Sequence, residues 1–322
     1  MRGSLALDPA AGDGDWPTVA ASWRSEVETG LIDRQGELPD EAVIAIISDV
    51  HAVAASLEAV LRSARVHGAS QVWCLGDVVG RGPSPRLCLE MLASLGPCVV
   101  THWLAGNHER EWLGRAEDQP PSDQDAASVI DAHRRELKSL FVGGEPPTYE
   151  RWSWCGDASV RPTRTDSVAY LVHGGAPMRD GGEAYTYTDD AATVGLLRSH
   201  AEDRTTGAAR LLFAGHTHVP DAWRWHRGKP TQMHKSLYEE EVLDGECHYL
   251  NVGSSGGWPR IGDTRTAKPT YGLLRLGRGE TTWRIVEVEA DLEPERARMI
   301  ELGYPEKIVG SLAGPGAAAD RP

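Results

Sequence analysis

No stretch of the chain approaches the run of about 18 apolar residues that a membrane-spanning helix requires. The opening, Met1 to Asp15, has one arginine, then Gly, Pro and Asp, and no apolar centre. The expectation is a soluble protein with neither a membrane span nor a secretory leader. Basic residues are also in short supply: 33 Lys and Arg stand against 47 Asp and Glu, a formal net charge of −14. That balance argues against nucleic acid or anionic lipid as a bulk partner, while leaving room for a local basic patch around a phosphate. Paired cysteine motifs are missing as well. The five cysteines, Cys74, Cys88, Cys98, Cys155 and Cys247, are odd in number and include no C-x-x-C. They read as reduced thiols of a cytoplasmic protein, with Cys74 and Cys98 inside apolar runs that predict buried strands.

What is present suffices for one substantial core: 322 residues, 40% hydrophobic and 25% charged. Residues 1–40 are rich in Gly, Asp, Pro and Glu, with Trp16 and Trp23 as scattered anchors, and predict a partly ordered extension. From Val43 the pattern changes. Val43 to Ile47 is a continuous β-branched run of the kind buried on both faces of a sheet. Ala52 to Arg65 follows with helical spacing at Leu57, Val60, Leu61 and Ala64. The unit then recurs: a strand over Gln71 to Leu75, a helix over Pro85 to Leu95 opened by Pro83-Ser84-Pro85, and a strand over Cys98 to Leu104.

Residues 114–165 are polar and Pro-containing, with one helical stretch at Val129 to Phe141, and predict an insertion that caps one side of a domain spanning 41–290. Further strands are expected at Val168 to Val172, Arg210 to Ala214, His248 to Val252, Tyr271 to Leu276 and Trp283 to Val288. The last three lack intervening helices and predict an antiparallel second sheet. The fold expected is a four-layer α/β/β/α sandwich of two packed mixed sheets with outer helices. A terminal helix over Glu293 to Leu302 and a disordered tail, Ala313 to Pro322, complete residues 291–322.

Chemistry is concentrated where these strands end. The first runs into Asp49-Val50-His51, the second into Gly76-Asp77, the third into Gly106-Asn107-His108-Glu109. Later strands run into His173-Gly174-Gly175 and Gly215-His216-Thr217-His218. The carboxyl edge of an α/β sheet is where ligands bind. Residues i and i+2 of an extended chain point the same way, so Asp49 with His51, and His216 with His218, are each expected to aim at one point. Carboxylate, imidazole and amide oxygen together suit Mn, Fe, Zn or Ni better than Ca or Cu(I). Asp49, His51, Asp77, Asn107, His173, His216 and His218 are too many ligands for one such ion and fit two that share a bridging carboxylate.

The ordered set Asp49-x-His51, Gly76-Asp77, Gly106-Asn107-His108-Glu109, His173-Gly174 and Gly215-His216-x-His218 resembles the calcineurin-like metallophosphoesterase superfamily. Asn251-Val252-Gly253-Ser254, followed by Pro259-Arg260-x-Gly262-Asp263, is similar to its small bacterial phosphodiesterase branch. The resemblance implies a phosphoesterase with two divalent transition-metal ions, manganese the first expectation, and a small phosphate-ester substrate, a diester by preference. By the same resemblance Asp49, His51 and His218 hold one ion, and Asn107, His173 and His216 the other. Asp77 bridges them, and His108 gives a proton to the leaving oxygen. A serine/threonine protein phosphatase or dinucleoside-polyphosphate hydrolase is the alternative suggested by Gly76-Asp77-x-Val79-x-Arg81-Gly82. Against it, Gly80 and Ala105 stand where the protein phosphatases carry Asp and Arg. A metal-free interaction module on the same scaffold is the second alternative.

Arg81 and Arg260 are candidate phosphate contacts, and each also reads as a solvated loop arginine. Tyr185 and Tyr187 read as loop aromatics, with a substrate pocket the alternative. The Trp223-Arg224-Trp225-His226-Arg227 run predicts an alternating hairpin strand rather than a base-stacking surface.

Overall fold

The computed structural model describes residues 14–32, 42–112, 158–160, 168–174, 195, 198, 209–233, 237–244, 247–259, 268–277 and 279–312. Twelve strands are described: β1 (Ala42–Ile47), β2 (Gln71–Cys74), β3 (Val100–Trp103), β4 (Ala158–Val160), β5 (Val168–Leu171), β6 (Ala209–Ala214), β7 (Pro220–His226), β8 (Lys229–Gln232), β9 (Glu241–Val242), β10 (Cys247–Val252), β11 (Thr270–Leu276) and β12 (Thr281–Glu287). The helices are α1 (Trp16–Ile32), α2 (Ala54–Val66), α3 (Pro85–Val99), α4 (Asn107–Trp112), α5 (Glu293–Glu301) and α6 (Glu306–Ser311).

Two six-stranded mixed sheets result, ordered β3-β2-β1-β11-β12-β9 and β4-β5-β6-β10-β7-β8. β1, β2 and β3 run parallel in the first, as do β5, β6 and β10 in the second. The sheets pack face to face through Ile44, Ile46 and Trp73 of one against Leu171, Phe213 and Leu250 of the other. Helices cover the outer face of the first sheet, where Leu57, Leu61 and Leu92 meet Ala45, Ile47 and Leu273. On the far face of the second sheet Leu212, Trp223, Trp225 and Tyr249 form a separate buried cluster. Among the described residues no helix covers that face, and Val129 to Phe141, Tyr185, Tyr187, Arg260 and the tail from Ala313 lie outside the described residues.

The expectation of an antiparallel second sheet made from the last three strands is corrected. β10 joins the second sheet beside β6, whereas β11 and β12 extend the first, β11 pairing antiparallel with β1 in the register Ile46↔Gly272. The reason lies in their composition. β11 turns Tyr271 and Leu273 to the helices and Leu274 to the sheet interface, so it suits a place buried on both faces. Cys98 is also relocated: it lies in the last turn of α3, beyond a kink where Gly96 takes φ 71°, and is partly exposed. Cys74, Cys88 and Cys247 are buried free thiols. The Trp223-to-Arg227 run falls in the β7–β8 hairpin, where Trp223 and Trp225 are buried on the face away from the other sheet.

Within the Gly- and Asp-rich first forty residues, α1 is docked rather than loosely attached. Trp23 is fully buried and its indole N–H donates to Ala69 O at 3.0 Å. Arg65 of α2, itself 2% exposed, donates to Val19 O at 3.0 Å and Ser22 Oγ at 2.9 Å, and pairs with Glu26 at 2.6 Å. A buried guanidinium is tolerable only when paired in this way. Removing the Trp23 side chain deletes a large buried volume, so Trp23→Ala is expected to cost about 3–5 kcal/mol of unfolding free energy. Urea denaturation followed by circular dichroism measures this; a loss under ~1 kcal/mol would show that α1 is not integral to the core.

Candidate metal centre

Five strands deliver the candidate side chains: β1 precedes Asp49 and His51, β2 precedes Asp77, β3 precedes Asn107 and His108, β5 precedes His173, and β6 precedes His216 and His218. The local backbone departs from expectation. Asp49, His51, Asp77, His216 and His218 do not lie on extended chain; their φ angles are 54°, 46°, 53°, 66° and 61°. Left-handed backbone in residues with a Cβ costs of order 1–3 kcal/mol each and persists only where neighbours enforce it. Here backbone hydrogen bonds tie the loops together: Asp49 N–H to Gly76 O, His51 N–H to Asp77 O, and Gly256 N–H to Asp49 O. Two glycines make the approach possible. A Cβ at Gly106 would overlap Asp77 Oδ1, and one at Gly215 would overlap Ser48 Oγ.

The consequence of the tight turns is that His216 and His218 diverge instead of aiming at one point. His218 groups with Asp49 and His51, and His216 groups with Asp77 and His173, the ligand atoms of each trio lying within 4.8 Å of one another. Asn107 adds its oxygen to the second group, with Oδ1 3.1 Å from His173 Nε2. Asp77 faces both groups, since one oxygen, Oδ2, stands 3.1 Å from His173 Nε2 and 3.8 Å from His51 Nε2. All the Asp and His side chains of the two trios are buried.

The ring tautomers follow from the partners on the far side. His173 Nδ1 lies 3.0 Å from Leu75 O, His218 Nδ1 3.0 Å from Pro259 O, and His51 Nδ1 3.3 Å from Val79 O. A carbonyl oxygen can only accept, so each Nδ1 carries the hydrogen; His51 and His218 then present an Nε2 lone pair to the site, whereas His173 Nε2, 3.1 Å from Asp77 Oδ2, is placed to donate a second hydrogen to that carboxylate. Those lone pairs meet other acceptors. His51 Nε2 and His218 Nε2 are 2.9 Å apart. Asp49 Oδ1, buried and without a hydrogen bond, stands 3.3 Å from His218 Nε2. Acceptors packed against acceptors in a dry site call for a cation, and the donor set of carboxylate, imidazole and amide oxygen fits divalent transition metals.

Proton affinities reflect the same tension. Burial opposes a charge on His173, yet the facing carboxylates of Asp77, Asp49 and Glu109 push it up to about 9. Burial likewise opposes ionisation of Asp77, but His173 and His108 hold its carboxyl well below the ordinary range. Burial and neighbouring histidines keep His51 well below its ordinary value and push His216 down to about 4, leaving both neutral as metal binding requires.

His108 opens α4, where its backbone N–H donates to Asp77 Oδ1 at 2.8 Å. Its ring stands edge-on to His51 with centroids 4.8 Å apart, and its buried Nδ1 has no hydrogen-bond partner among the described residues. Burial first, against the opposing pull of Asp77, brings it to about 4. The Arg81 guanidinium lies 5.9 Å from the centre of the Trp258 ring, and its charge reaches both His51 and His108. Glu109 has a function that its motif alone did not reveal. Its carboxylate accepts the backbone N–H groups of Asp77 (2.7 Å), Val79 (2.9 Å) and Gly106 (2.7 Å), pinning the loops after β2 and β3 together. Only the Gly-Asn-His-Glu spacing hinted at it. Asn251 has a comparable part: its amide donates to Gly215 O at 2.9 Å and Thr217 Oγ1 at 3.1 Å, bracing the loop that carries His216 and His218.

The sequence profile of the calcineurin-like phosphoesterase family matches residues 42–220, more than half of the chain. A Methanocaldococcus jannaschii protein, MJ0912, is 37% identical over 273 residues, covering 83% of this chain and 95% of its own. The crystal structure of a metallophosphoesterase from Sphaerobacter thermophilus is similar with a TM-score of 0.59 and 28% identity, over 84% of this chain and 98% of the other. The fold is shared with protein PH1004 of Pyrococcus horikoshii OT3, at a TM-score of 0.60 and 16% identity over 85% and 99% of the two chains. On the family profile and the extent of the archaeal match, the chain belongs to the calcineurin-like phosphoesterase family.

Proposed function

We propose that this protein hydrolyses a small phosphate ester, a phosphodiester by preference, at a centre that holds two divalent transition-metal ions, with manganese first and Fe, Zn or Ni as alternatives. The observation that carries the reading is the confrontation of lone pairs: His51 Nε2 against His218 Nε2, with Asp49 Oδ1 3.3 Å from the latter. Asp49, His51 and His218 would hold one ion and Asn107, His173 and His216 the other. The position of Asp77 Oδ2 between His51 and His173 supports its role as the bridge. Bound there, paired dications neutralise phosphoryl oxygens and lower the pKa of a shared water.

The chain's own groups supply the rest. Glu109 and Asn251 keep the ligand loops in register. Arg81, over Trp258 and close to His51 and His108, offers a guanidinium to a phosphate oxygen. His108 donates a proton to the leaving oxygen. Burial disfavours its charged form in the free protein, so the acid role relies on the negative phosphate drawing a proton onto the ring. Selection among esters is assigned to the 114–165 insertion and to the chain after His173, since both lead directly away from ligand-bearing loops.

Several observations favour this over the alternatives. The Sphaerobacter relative's description as a metallophosphoesterase supports ester hydrolysis. The diesterase preference draws on the Asn251-to-Asp263 motif, and Pro259 within it accepts the hydrogen of His218. A protein-phosphatase-like Asp in place of Gly80 would need a Cβ 2.7 Å from His108 Nδ1, at φ 110°. A metal-free interaction module would leave acceptors opposed in a dry interior. A cytoplasmic location is in keeping with the free thiols Cys74, Cys88 and Cys247.

Asp77→Ala is expected to lose bound metal, measured by elemental analysis of purified protein, and with it hydrolysis of bis-p-nitrophenyl phosphate in Mn²⁺. Full metal occupancy in that variant would contradict the bridge. His108→Ala should keep its metal and lose about 10²–10⁴-fold in kcat; loss of metal would show a ligand in place of an acid. Comparison of bis-p-nitrophenyl phosphate with p-nitrophenyl phosphate tests the preference: the diester should turn over faster, and a faster monoester overturns it.

A further inference from the structure

We propose that Tyr304 and Glu295, in the last described stretch of the chain, are positioning residues that clamp the loop carrying Arg81 and so set the phosphate grip of the centre. The inference rests on the phosphoesterase reading given above. Neither residue belongs to any of the motifs at the strand ends, and both come from the segment around α5 and α6, far from the site in sequence.

Tyr304 is buried, and its hydroxyl donates to Gly82 O at 2.9 Å. Gly82 in turn donates its N–H to His51 O at 2.9 Å, and a Cβ at Gly82 would collide with that same carbonyl. One hydrogen-bonded line therefore runs from Tyr304 through the residue next to Arg81 to the backbone of a ligand candidate. Glu295 acts two residues further along. It is 6% exposed, and its two oxygens accept Ala55 N–H at 3.1 Å and Ser84 O–H at 2.8 Å. Ala55 lies in the first turn of α2, behind the Asp49–His51 loop, and Ser84 directly precedes α3, behind the Asp77–Gly82 loop. A carboxylate is well placed at two converging helix N-termini, where unpaired N–H groups and the helix dipoles favour negative charge.

Between these anchors the chain has little freedom. Ser84 N–H donates to Ala52 O at 2.9 Å, and Val79 N–H is taken by Glu109. Residues 80 to 82 thus form a short span held at both ends, with Tyr304 fixing its far end and Trp258 lying beneath Arg81 at 5.9 Å. A guanidinium on a fixed stem over an aromatic face loses less freedom on gripping a phosphate than one on a loose loop. Loosening the span should therefore weaken phosphate binding through Arg81 and leave the metal ligands in place.

The test uses the full chain loaded with Mn²⁺ and inorganic phosphate as the probe, with affinity read by isothermal titration calorimetry. Tyr304→Phe keeps the ring and deletes one hydrogen bond, so phosphate affinity is expected to fall about fivefold to tenfold with metal content unchanged. Glu295→Gln should act in the same direction. Combined with Arg81→Ala, which weakens binding by itself, Tyr304→Phe should cost nothing further, because the group it positions is gone. Equal losses from Tyr304→Phe with and without Arg81→Ala overturn the inference, as does an affinity that Tyr304→Phe leaves unchanged. Should phosphate show the expected coupling while the wild-type protein hydrolyses neither nitrophenyl ester, the catalytic reading fails and the clamp stands.

Discussion

Everything at the carboxyl edge of the two sheets is organised around a shortage of positive charge. Asp49, Asp77 and Asn107 turn oxygens toward one site, and His51, His173 and His218 turn their Nε2 atoms toward it. The far side of each of those three rings is committed to a backbone carbonyl, so the imidazoles cannot turn their hydrogens inward without abandoning a buried hydrogen bond. The fold relieves part of the shortage by holding a proton on His173 well above its ordinary range. A bound metal cation would relieve more of it. Second-sphere carbonyls that orient ligand imidazoles are the usual means by which a protein prepares such a site in advance.

Preparation of this kind has a cost, visible in the backbone. Five of the candidate ligands sit on left-handed chain, a conformation that strains any residue with a Cβ even though Asp and His adopt it more readily than most. The surrounding structure compels it by cross-linking every loop to another: β1's loop to β2's through His51 and Asp77, β2's to β3's through Glu109, and β6's to β10 through Asn251. The sheets supply the rigidity against which these loops are strained. Parallel strands β1 to β3 and β5 to β6 bring their carboxyl ends together, and the packed interface between the sheets brings one set up against the other.

Much of this was legible in the amino-acid order because the strands of the parallel core are short, apolar on both faces and each followed at once by a polar ligand. The residues that gather in the two trios are those singled out by their place after a strand. The geometry of the turns was not legible: D-x-H and H-x-H spacings say nothing about φ, and only the flanking glycines pointed to tight backbone. The placement of β11 and β12 was hidden for a different reason. A strand apolar on both faces fits the middle of either sheet, and only the long-range register with β1 decides between them. α1 escaped because its stretch is dominated by exposed polar residues around the few that matter, Val19, Ala20, Trp23 and Val27. Glu109, Glu295 and Tyr304 act through hydrogen bonds to groups on other loops and helices, a relationship with no periodic trace.

The position of β11 has a bearing on how the molecule comes into being. The parallel neighbour of β1, β2, follows it within a few tens of residues, but its antiparallel neighbour arrives only with residues 270–276. Until then a nascent chain displays an unpaired apolar edge at the centre of its first sheet, the kind of surface on which chaperones act and aggregates start. The ligand loop of β1 stays half-supported for the same interval, because the Ser254 hydroxyl and the Gly256 N–H that bind Asp49 O come from the stretch between β10 and β11.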